Sequence, residues 1–323
     1  CDRVSEMTYY PQQSHVTCET GGLSCRPPVR KEKYRVHLLA LGDVGSTLAL
    51  GLRLMGGDVI SSVGICDLRE NVPQRWEFEL NQIAAPGDTC FPPVEIVSPE
   101  CLMDCDVFLF CASRFVPDTA VKSGDVRMAQ YELNRPLVAG YARMARERGF
   151  QGMFCVVSDP VDPLCRAALL ESGLSAGQIR GFGLGVMDAR ARYYAKKDPR
   201  FASYLIDGRA FGPHGEGLVI ANSVSRYDDA LSRELTEQTK HANLDMRALG
   251  YKPYVAPALS SGALSLLACL RGEWHHSSVW LEGIYFGIRN RLTDGGIEME
   301  RLSLPEPLLE RIRGAMEDLK AIP

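Results

Sequence analysis

The distribution of hydrophobic and polar positions predicts a parallel α/β domain from residue 34 onward. Short apolar runs rich in β-branched or aromatic residues alternate with amphipathic stretches, as expected when helices cover both faces of a parallel sheet. The predicted strands are Tyr34–Leu41, Val59–Asp67, Val107–Ala112 and Gly152–Ser158, and the predicted helices are Ser46–Met55 and Val126–Arg148. Pro136 is expected to kink or restart the second helix. The pattern therefore indicates a doubly wound parallel sheet.

Beyond about residue 181 the pattern changes to one dominated by helices. Helical periodicity covers Ala189–Lys196, Tyr227–Leu249, Ser260–Arg271 and Pro305–Lys320, with strand-like stretches at Gly217–Ala221 and Val279–Gly287. We therefore predict three parts: an N-terminal arm at 1–33, the sheet domain at 34–181, and a second, α+β domain at 182–323.

The predicted arm is polar, contains several prolines and glycines, and has no helical or strand period, which is typical of an extended segment. It contains Cys1, His15, Cys18 and Cys25. Four such side chains can bind zinc, but their spacing lacks the paired C-x-x-C pattern of zinc sites. Incidental thiols are the favoured interpretation, and no metal site is predicted.

Composition narrows the functional class. The 323 residues are 46% hydrophobic and 24% charged, as in globular proteins. The net charge of −4 argues against nucleic-acid binding as the main activity. No apolar run approaches the roughly 20 residues of a membrane helix, and no leader is recognisable, so we expect a cytoplasmic protein without membrane contact.

The cysteines are odd in number and scattered along the chain, which predicts no disulfide framework. Four of them lie in apolar stretches where thiols pack as small hydrophobes, namely Cys66, Cys111, Cys155 and Cys269.

A glycine-containing turn follows the first predicted strand. Residues 40–45, Ala-Leu-Gly-Asp-Val-Gly, form a G-x-G-x-x-G pattern with alanine in the first place. Gly42 would let the backbone approach a pyrophosphate, and Gly45 would let the helix pack against the strand. The helix N-terminus offers free N–H groups to phosphates. Asp67 ends the second strand, where a carboxylate accepts hydrogen bonds from ribose hydroxyls and favours NAD over NADP. These features indicate a Rossmann-type NAD-binding domain, whose candidate cofactor contacts are Gly42, Asp43, Val44, Gly45, Asp67 and Ala112.

Four further segments, in this order, resemble the motifs of the lactate/malate dehydrogenase family. They are residues 124–134 (GDVRMAQYELN), 156–162 (VVSDPVD), 181–192 (GFGLGVMDARAR) and 212–216 (GPHGE). The resemblance runs from about residue 34 to 320. It implies an NAD-dependent enzyme that interconverts a 2-hydroxy acid and a 2-oxo acid and assembles as a homodimer or homotetramer.

The resemblance also implies roles for individual residues. His214 would be the acid/base, since a histidine titrates near neutral pH and can both take and return the hydroxyl proton. Arg190 would bind the substrate carboxylate as a two-pronged cation. Arg127 would stabilise charge on the substrate carbonyl from a closing loop. Lys122 lies near the position that distinguishes dicarboxylic substrates and favours a second anionic group, although the loop between Ser113 and Val126 is longer than in typical members.

Two departures from the family pattern affect the histidine. The family's aspartate that orients the histidine lies three residues before the carboxylate-binding arginine, and Met187 occupies that position here. Asp188 is one residue too late and points about 200° away from Arg190 on a regular helix. Asp159 replaces an asparagine that donates a hydrogen bond to substrate. Either Asp188 still reaches His214 through an irregular helix start, or Asp159 takes over as its partner, or the histidine has lost its carboxylate.

The sequence therefore leaves two functional hypotheses. The first is an NAD-dependent 2-hydroxy-acid dehydrogenase, favoured because His214, Arg190 and Arg127 are all retained. The second is a catalytically impaired relative that binds a nucleotide or a protein partner, favoured by Met187 and Asp159.

Overall fold

A computed structural model of the chain describes residues 30–87, 89–114 and 126–322, except for the side chains of Val126 and Arg127. Most of the predicted arm lies outside the described residues, including Cys1, His15, Cys18 and Cys25. Lys122 lies outside them as well. No helix in the described part of the chain is long and apolar enough to cross a membrane.

The described residues form a nine-stranded sheet. Its strands are β1 Tyr34–Leu39, β2 Ile60–Cys66, β3 Val94–Ile96, β4 Val107–Phe110, β5 Met153–Val156, β6 Ile179–Gly181, β9 His275–Leu281, β10 Ile284–Thr293 and β11 Gly296–Met299. They lie side by side in the order β11-β10-β9-β6-β5-β4-β1-β2-β3. A separate antiparallel pair joins β7 Arg209–Phe211 and β8 Val219–Ala221. The run β3-β2-β1-β4-β5-β6 is parallel, which is the strand order of a Rossmann fold. The expected doubly wound sheet is confirmed.

Helices cover the sheet and build the second half. They are α1 Asp43–Met55, α2 Val72–Asn81, α3 Val126–Glu147, α4 Val161–Ser172, α5 Leu184–Lys197, α6 Tyr204–Asp207, α7 Asp229–Ala248, α8 Ser265–Arg271 and α9 Glu306–Lys320, and a π-helical segment, Pro257–Leu264, precedes α8. Pro136 lies inside α3, which runs on through it as one helix.

The core lies on both faces of the parallel sheet because alternate strand residues face opposite ways. In β4, Val107 and Leu109 pack into one buried cluster, whereas Phe108 and Phe110 pack into the other. Of the four cysteines predicted to be buried, Cys66, Cys155 and Cys269 are buried and Cys111 is half-buried.

The predicted strand Val279–Gly287 is wrong, because it merges parts of two strands. Strands β9 and β10 form an antiparallel hairpin in which Leu281 pairs with Ile284. Glu282 and Gly283 form its two-residue turn and both have positive φ, 45° and 89°. Such turns match the twist of the flanking strands. The hairpin extends the sheet by pairing β9 antiparallel with β6.

Candidate active site

The turn after β1 is shaped to accept a phosphate group. Gly42 is the N-cap of α1, so the first N–H groups of the helix point out of the turn. A Cβ at Gly42 would meet no heavy atom within 4 Å, which leaves open space above the turn. A Cβ at Gly45 would lie 1.9 Å from the Ala40 carbonyl oxygen, so only glycine permits this close helix–strand contact. Val44, between them, is half-buried in the first turn of α1.

Ala40 occupies the first position of the glycine pattern in a left-handed conformation, with φ 76°. This region costs an alanine roughly 1–2 kcal/mol, because its Cβ crowds the backbone. The turn thus keeps the backbone path of the glycine pattern even where the glycine itself is absent.

Asp67 lies just beyond the end of β2 and is tied to the turn. Its Oδ2 accepts a hydrogen bond of 2.7 Å from the Leu41 N–H. Arg69 forms a two-pronged contact with the same carboxylate, at 2.9 Å from Nε to Oδ1 and 2.8 Å from Nη2 to Oδ2. Burial raises the pKa of the Asp67 carboxyl, but the hydrogen bonds from Arg69 and Leu41 outweigh burial, and the pKa lies below its usual value.

Two other predicted cofactor contacts lie at the same edge of the sheet. Asp43, the first residue of α1, forms an ion pair of 3.3 Å with Lys252. Ala112 follows β4, and its carbonyl oxygen accepts a 2.7 Å hydrogen bond from the Ser158 hydroxyl. An open glycine turn, a helix N-terminus and an acidic residue at the end of the next strand fit a dinucleotide cofactor.

His214 lies in the turn between β7 and β8, and Asp159 follows β5. His214 Nδ1 is 3.1 Å from Asp159 Oδ1. With the carboxylate ionised, it can only accept hydrogen bonds, and Nδ1 is then the donor in this contact. The His214 side chain is 16% exposed and that of Asp159 is 47% exposed, so the pair lies at an accessible edge.

The turn that presents His214 has a conformation that requires glycine. Gly212 has φ 90°, and a Cβ there would lie 2.7 Å from the Gly217 carbonyl oxygen. The Gly212 N–H donates to the Gly287 carbonyl of β10 at 2.9 Å, which anchors the turn to the main sheet.

Asn134 holds the segment that carries Asp159, a role that the sequence analysis missed. This fully buried residue of α3 donates from its amide to the Asp159 carbonyl oxygen at 2.9 Å. Its own side-chain oxygen accepts from the Arg114 N–H at 2.9 Å. Asn134 is the last residue of the first motif that resembles the family. The sequence signal for its role was a polar amide among the apolar positions of a predicted amphipathic helix, because a buried amide needs hydrogen-bond partners.

Arg190 lies on α5 with its guanidinium half-buried near the His214 pair. Burial lowers its pKa, and the charges of Tyr194 and Asp159 act in the opposite direction. Among the described residues its hydrogen-bond partner is the Met187 sulfur, at 3.7 Å from Nη1. A desolvated guanidinium that has no oxygen acceptor in the described part of the chain is suited to a carboxylate ligand.

Asp188 faces a different set of groups. Its Oδ1 accepts from the Tyr204 hydroxyl and its Oδ2 from Arg192 Nε, both at 2.8 Å. His276 Nδ1 lies 3.8 Å from Oδ2. The partners of Asp188 in the described chain therefore do not include His214, and Asp159 is the carboxylate at the imidazole.

Arg127 and Lys122 are the two remaining predicted site residues, and the structure does not describe their side chains. The Arg127 side chain and Lys122 lie outside the described residues, and the structure describes only the backbone of Arg127, in the first turn of α3.

The strand order and the glycine turn define a protein with a Rossmann-type fold, and comparisons with known proteins narrow this class. No protein-family model matches the chain. An L-lactate dehydrogenase from Treponema denticola is 29% identical over 197 residues, which cover 60% of this chain and 59% of that protein. A probable malate dehydrogenase from Campylobacter jejuni is 24% identical over 269 residues, 80% of this chain and 86% of that protein.

The fold agrees with these relatives. A crystal structure of lactate dehydrogenase from Eimeria maxima with NADH and oxamate has a TM-score of 0.72 at 19% identity, over 90% of this chain and 93% of that chain. In sequence and in fold, the chain is therefore similar to lactate and malate dehydrogenases.

Proposed function

We propose that this protein is an NAD-dependent 2-hydroxy-acid dehydrogenase in which Asp159 orients the acid/base histidine. The 3.1 Å contact between Asp159 Oδ1 and His214 Nδ1 carries the proposal. The carboxylate fixes the tautomer in which Nε2 exchanges a proton with substrate, and it stabilises the imidazolium that forms. In this site the aspartate comes from the end of β5 instead of from α5.

His214 transfers the proton, and Arg190 binds the substrate carboxylate. During oxidation, His214 Nε2 takes the proton of the substrate hydroxyl, and during reduction it returns that proton to the carbonyl oxygen. The half-buried Arg190 binds the substrate carboxylate through two N–H groups, which fixes the reacting carbon relative to the histidine. Arg127, at the start of α3, is proposed to stabilise negative charge on the carbonyl oxygen.

The cofactor site is proposed to hold NAD along the carboxyl edge of the sheet. Gly42, Asp43, Val44 and Gly45 would surround the pyrophosphate, Asp67 would face the adenosine ribose, and Ala112 would line the approach to the nicotinamide. A bound nicotinamide supplies the hydride acceptor or donor for the substrate carbon. A 2-hydroxy or 2-oxo acid substrate, a homodimeric or homotetrameric assembly and the substrate role of Lys122 remain predictions from the family resemblance. The cytoplasmic location and the domain boundaries remain predictions from the sequence pattern.

The test is NADH oxidation, followed by absorbance, against pyruvate, oxaloacetate and branched and aromatic 2-oxo acids. We expect turnover with at least one of them, and we expect His214→Gln to lower kcat on the order of 10³-fold while NADH still binds. Arg190→Gln should mainly raise KM, because it removes carboxylate binding.

The competing hypothesis is a nucleotide- or partner-binding relative without catalysis. NADH binding measured by fluorescence, with no turnover of any 2-oxo acid in the panel, would favour that alternative and overturn the proposed enzyme.

A further inference from the structure

The carboxylate oxygens of Asp67, which would accept hydrogen bonds from ribose hydroxyls, already accept hydrogen bonds from Arg69 and Leu41. Asp67 Oδ1 accepts from the N–H and Nε of Arg69, and Oδ2 accepts from the Leu41 N–H and from Arg69 Nη2. A carboxylate offers about four acceptor positions. All four are therefore occupied from within the protein, and this arrangement leaves none for the two ribose hydroxyls.

The same contact leaves part of the Arg69 guanidinium available. A guanidinium has about five N–H donors, and Asp67 takes only the pair formed by Nε and Nη2. The end of the group, formed by Nη1 and the second N–H of Nη2, has no hydrogen-bond acceptor among the described residues. The Arg69 side chain is 61% exposed, so this end is open to solvent beside the ribose position.

A second cation lies at the same end of the site. Lys252 forms an ion pair with Asp43, and its side chain is 71% exposed. Asp43 in turn attracts Arg69. The two acidic residues of this region thus have cationic partners, which reduces the repulsion that an isolated Asp67 would exert on a phosphate.

We propose that Arg69 makes the cofactor site accept a 2′-phosphorylated adenosine, so that the protein binds NADPH as well as NADH. The inference rests on the proposed function, since it places the adenosine ribose beside Asp67. Arg69 holds Asp67 with one edge and binds the 2′-phosphate with its free end, because a planar guanidinium matches phosphate oxygens in pairs. Asp67 therefore anchors the arginine and no longer excludes the phosphate.

The experiment is direct binding of NADH and NADPH, measured by calorimetry on the full chain, so that it does not depend on turnover. We expect the two dissociation constants of the unchanged protein to agree within about 10-fold. Arg69→Gln should weaken NADPH binding by about 10-fold to 100-fold, the usual value of a hydrogen-bonded charge pair, while NADH binding changes less than about 3-fold. Arg75→Gln, which removes an exposed arginine from the neighbouring helix α2, is the matched control and should change neither constant.

A second ligand pair, ADP-ribose and its 2′-phosphate, repeats the comparison without the nicotinamide and locates the effect at the adenosine end. Binding of NADH more than about 100-fold tighter than NADPH, or equal effects of Arg69→Gln and Arg75→Gln on NADPH, would overturn this inference and leave the proposed function intact. Binding of neither dinucleotide would overturn both.

Discussion

Asp159 and Asp188 were both candidates to orient His214, and they lie in opposite surroundings. The Asp159 side chain is 47% exposed and contacts the imidazole at an open edge of the sheet. The Asp188 side chain is 15% exposed, and both of its oxygens accept hydrogen bonds from within the protein. A carboxylate beside an accessible imidazole is suited to proton transfer, whereas a buried and fully hydrogen-bonded one contributes to stability.

Under the proposed function, this difference means that the carboxylate at the histidine comes from a different part of the chain than in the family. The family places the aspartate on the helix, three residues before the arginine, and Met187 now fills that position with a buried thioether. The proposed function accounts for both departures together, since Asp159 supplies the carboxylate that Met187 lacks.

The largest effect should come from removing the proposed carboxylate. Asp159→Asn keeps the shape but allows the amide to stabilise the wrong tautomer of His214, so kcat should fall by about 10³–10⁴-fold. Steady-state kinetics with NADH and the best 2-oxo acid measures it. Asp188→Asn is the matched control and should change kcat by less than about 10-fold, since Asp188 contacts other groups. If Asp188→Asn were the more damaging change, the assignment of the two carboxylates would have to be reversed.

A smaller effect should follow from restoring the family arrangement in the variant that lacks Asp159. A Cβ at Gly183, one turn before Met187 on the approach to α5, would lie 3.0 Å from the His214 Cβ, so this end of the helix borders the imidazole. Met187→Asp combined with Asp159→Asn should recover activity on the order of 10²-fold over Asp159→Asn alone. The comparison variant carries Met187→Leu with Asp159→Asn. Equal activity of the two double variants would show that residue 187 cannot supply the carboxylate.

Asp188→Asn should instead lower the free energy of unfolding, by about 2 kcal/mol at neutral pH. Burial raises the pKa of the Asp188 carboxyl, but His276, Arg192 and Tyr204 outweigh burial, and the pKa lies below 3.8. Burial lowers the pKa of His276, so that imidazole is neutral at pH 7 and Arg192 is the cation that pairs with Asp188 there.

The sign of the pH dependence follows from this lowered pKa. Stabilisation by ionised Asp188 is present above the unfolded-state pKa and is lost as pH falls through the lower folded-state pKa. Denaturant unfolding at several pH values should therefore show the cost of Asp188→Asn shrinking below about pH 4. Glu171→Gln, which breaks the exposed pair with Arg143, is the control and should cost less than about 0.5 kcal/mol. A cost for Asp188→Asn as small as this control would contradict the stabilising role.

Local patterns predicted the parts of the site that depend on one turn or one strand end. Gly42, Gly45 and Asp67 follow from the strand–turn–helix pattern, because each requirement is met within a few neighbouring residues. The choice between Asp159 and Asp188 could not be made in this way. It depends on how the loop after β5 meets the turn between β7 and β8, which are 55 residues apart in sequence.

Elements without a distinct period were missed for a similar reason. Helix α4 begins directly after the Asp159–Pro160 segment, and its residues Val161–Leu169 are mostly buried, so an amphipathic pattern is weak there. Every residue of β9 is buried, so its sequence lacks the alternation of apolar and polar residues that marks the end of a strand. The two-residue turn at Glu282 and Gly283 was therefore not predicted.

The smallest predicted effect concerns the glycine-containing turn after β1. Ala40→Gly relieves the left-handed conformation at φ 76°, a gain of roughly 1–2 kcal/mol, but it adds flexibility to the unfolded chain and removes a half-buried methyl. The net change should be a stabilisation of about 0.5 kcal/mol, measured by denaturant unfolding. Ala242→Gly, inside helix α7, is the same substitution in a right-handed conformation and should destabilise by about 1 kcal/mol. Destabilisation of both variants alike would mean that the left-handed conformation of Ala40 carries no strain, and that its methyl group contributes more to stability than the conformation costs.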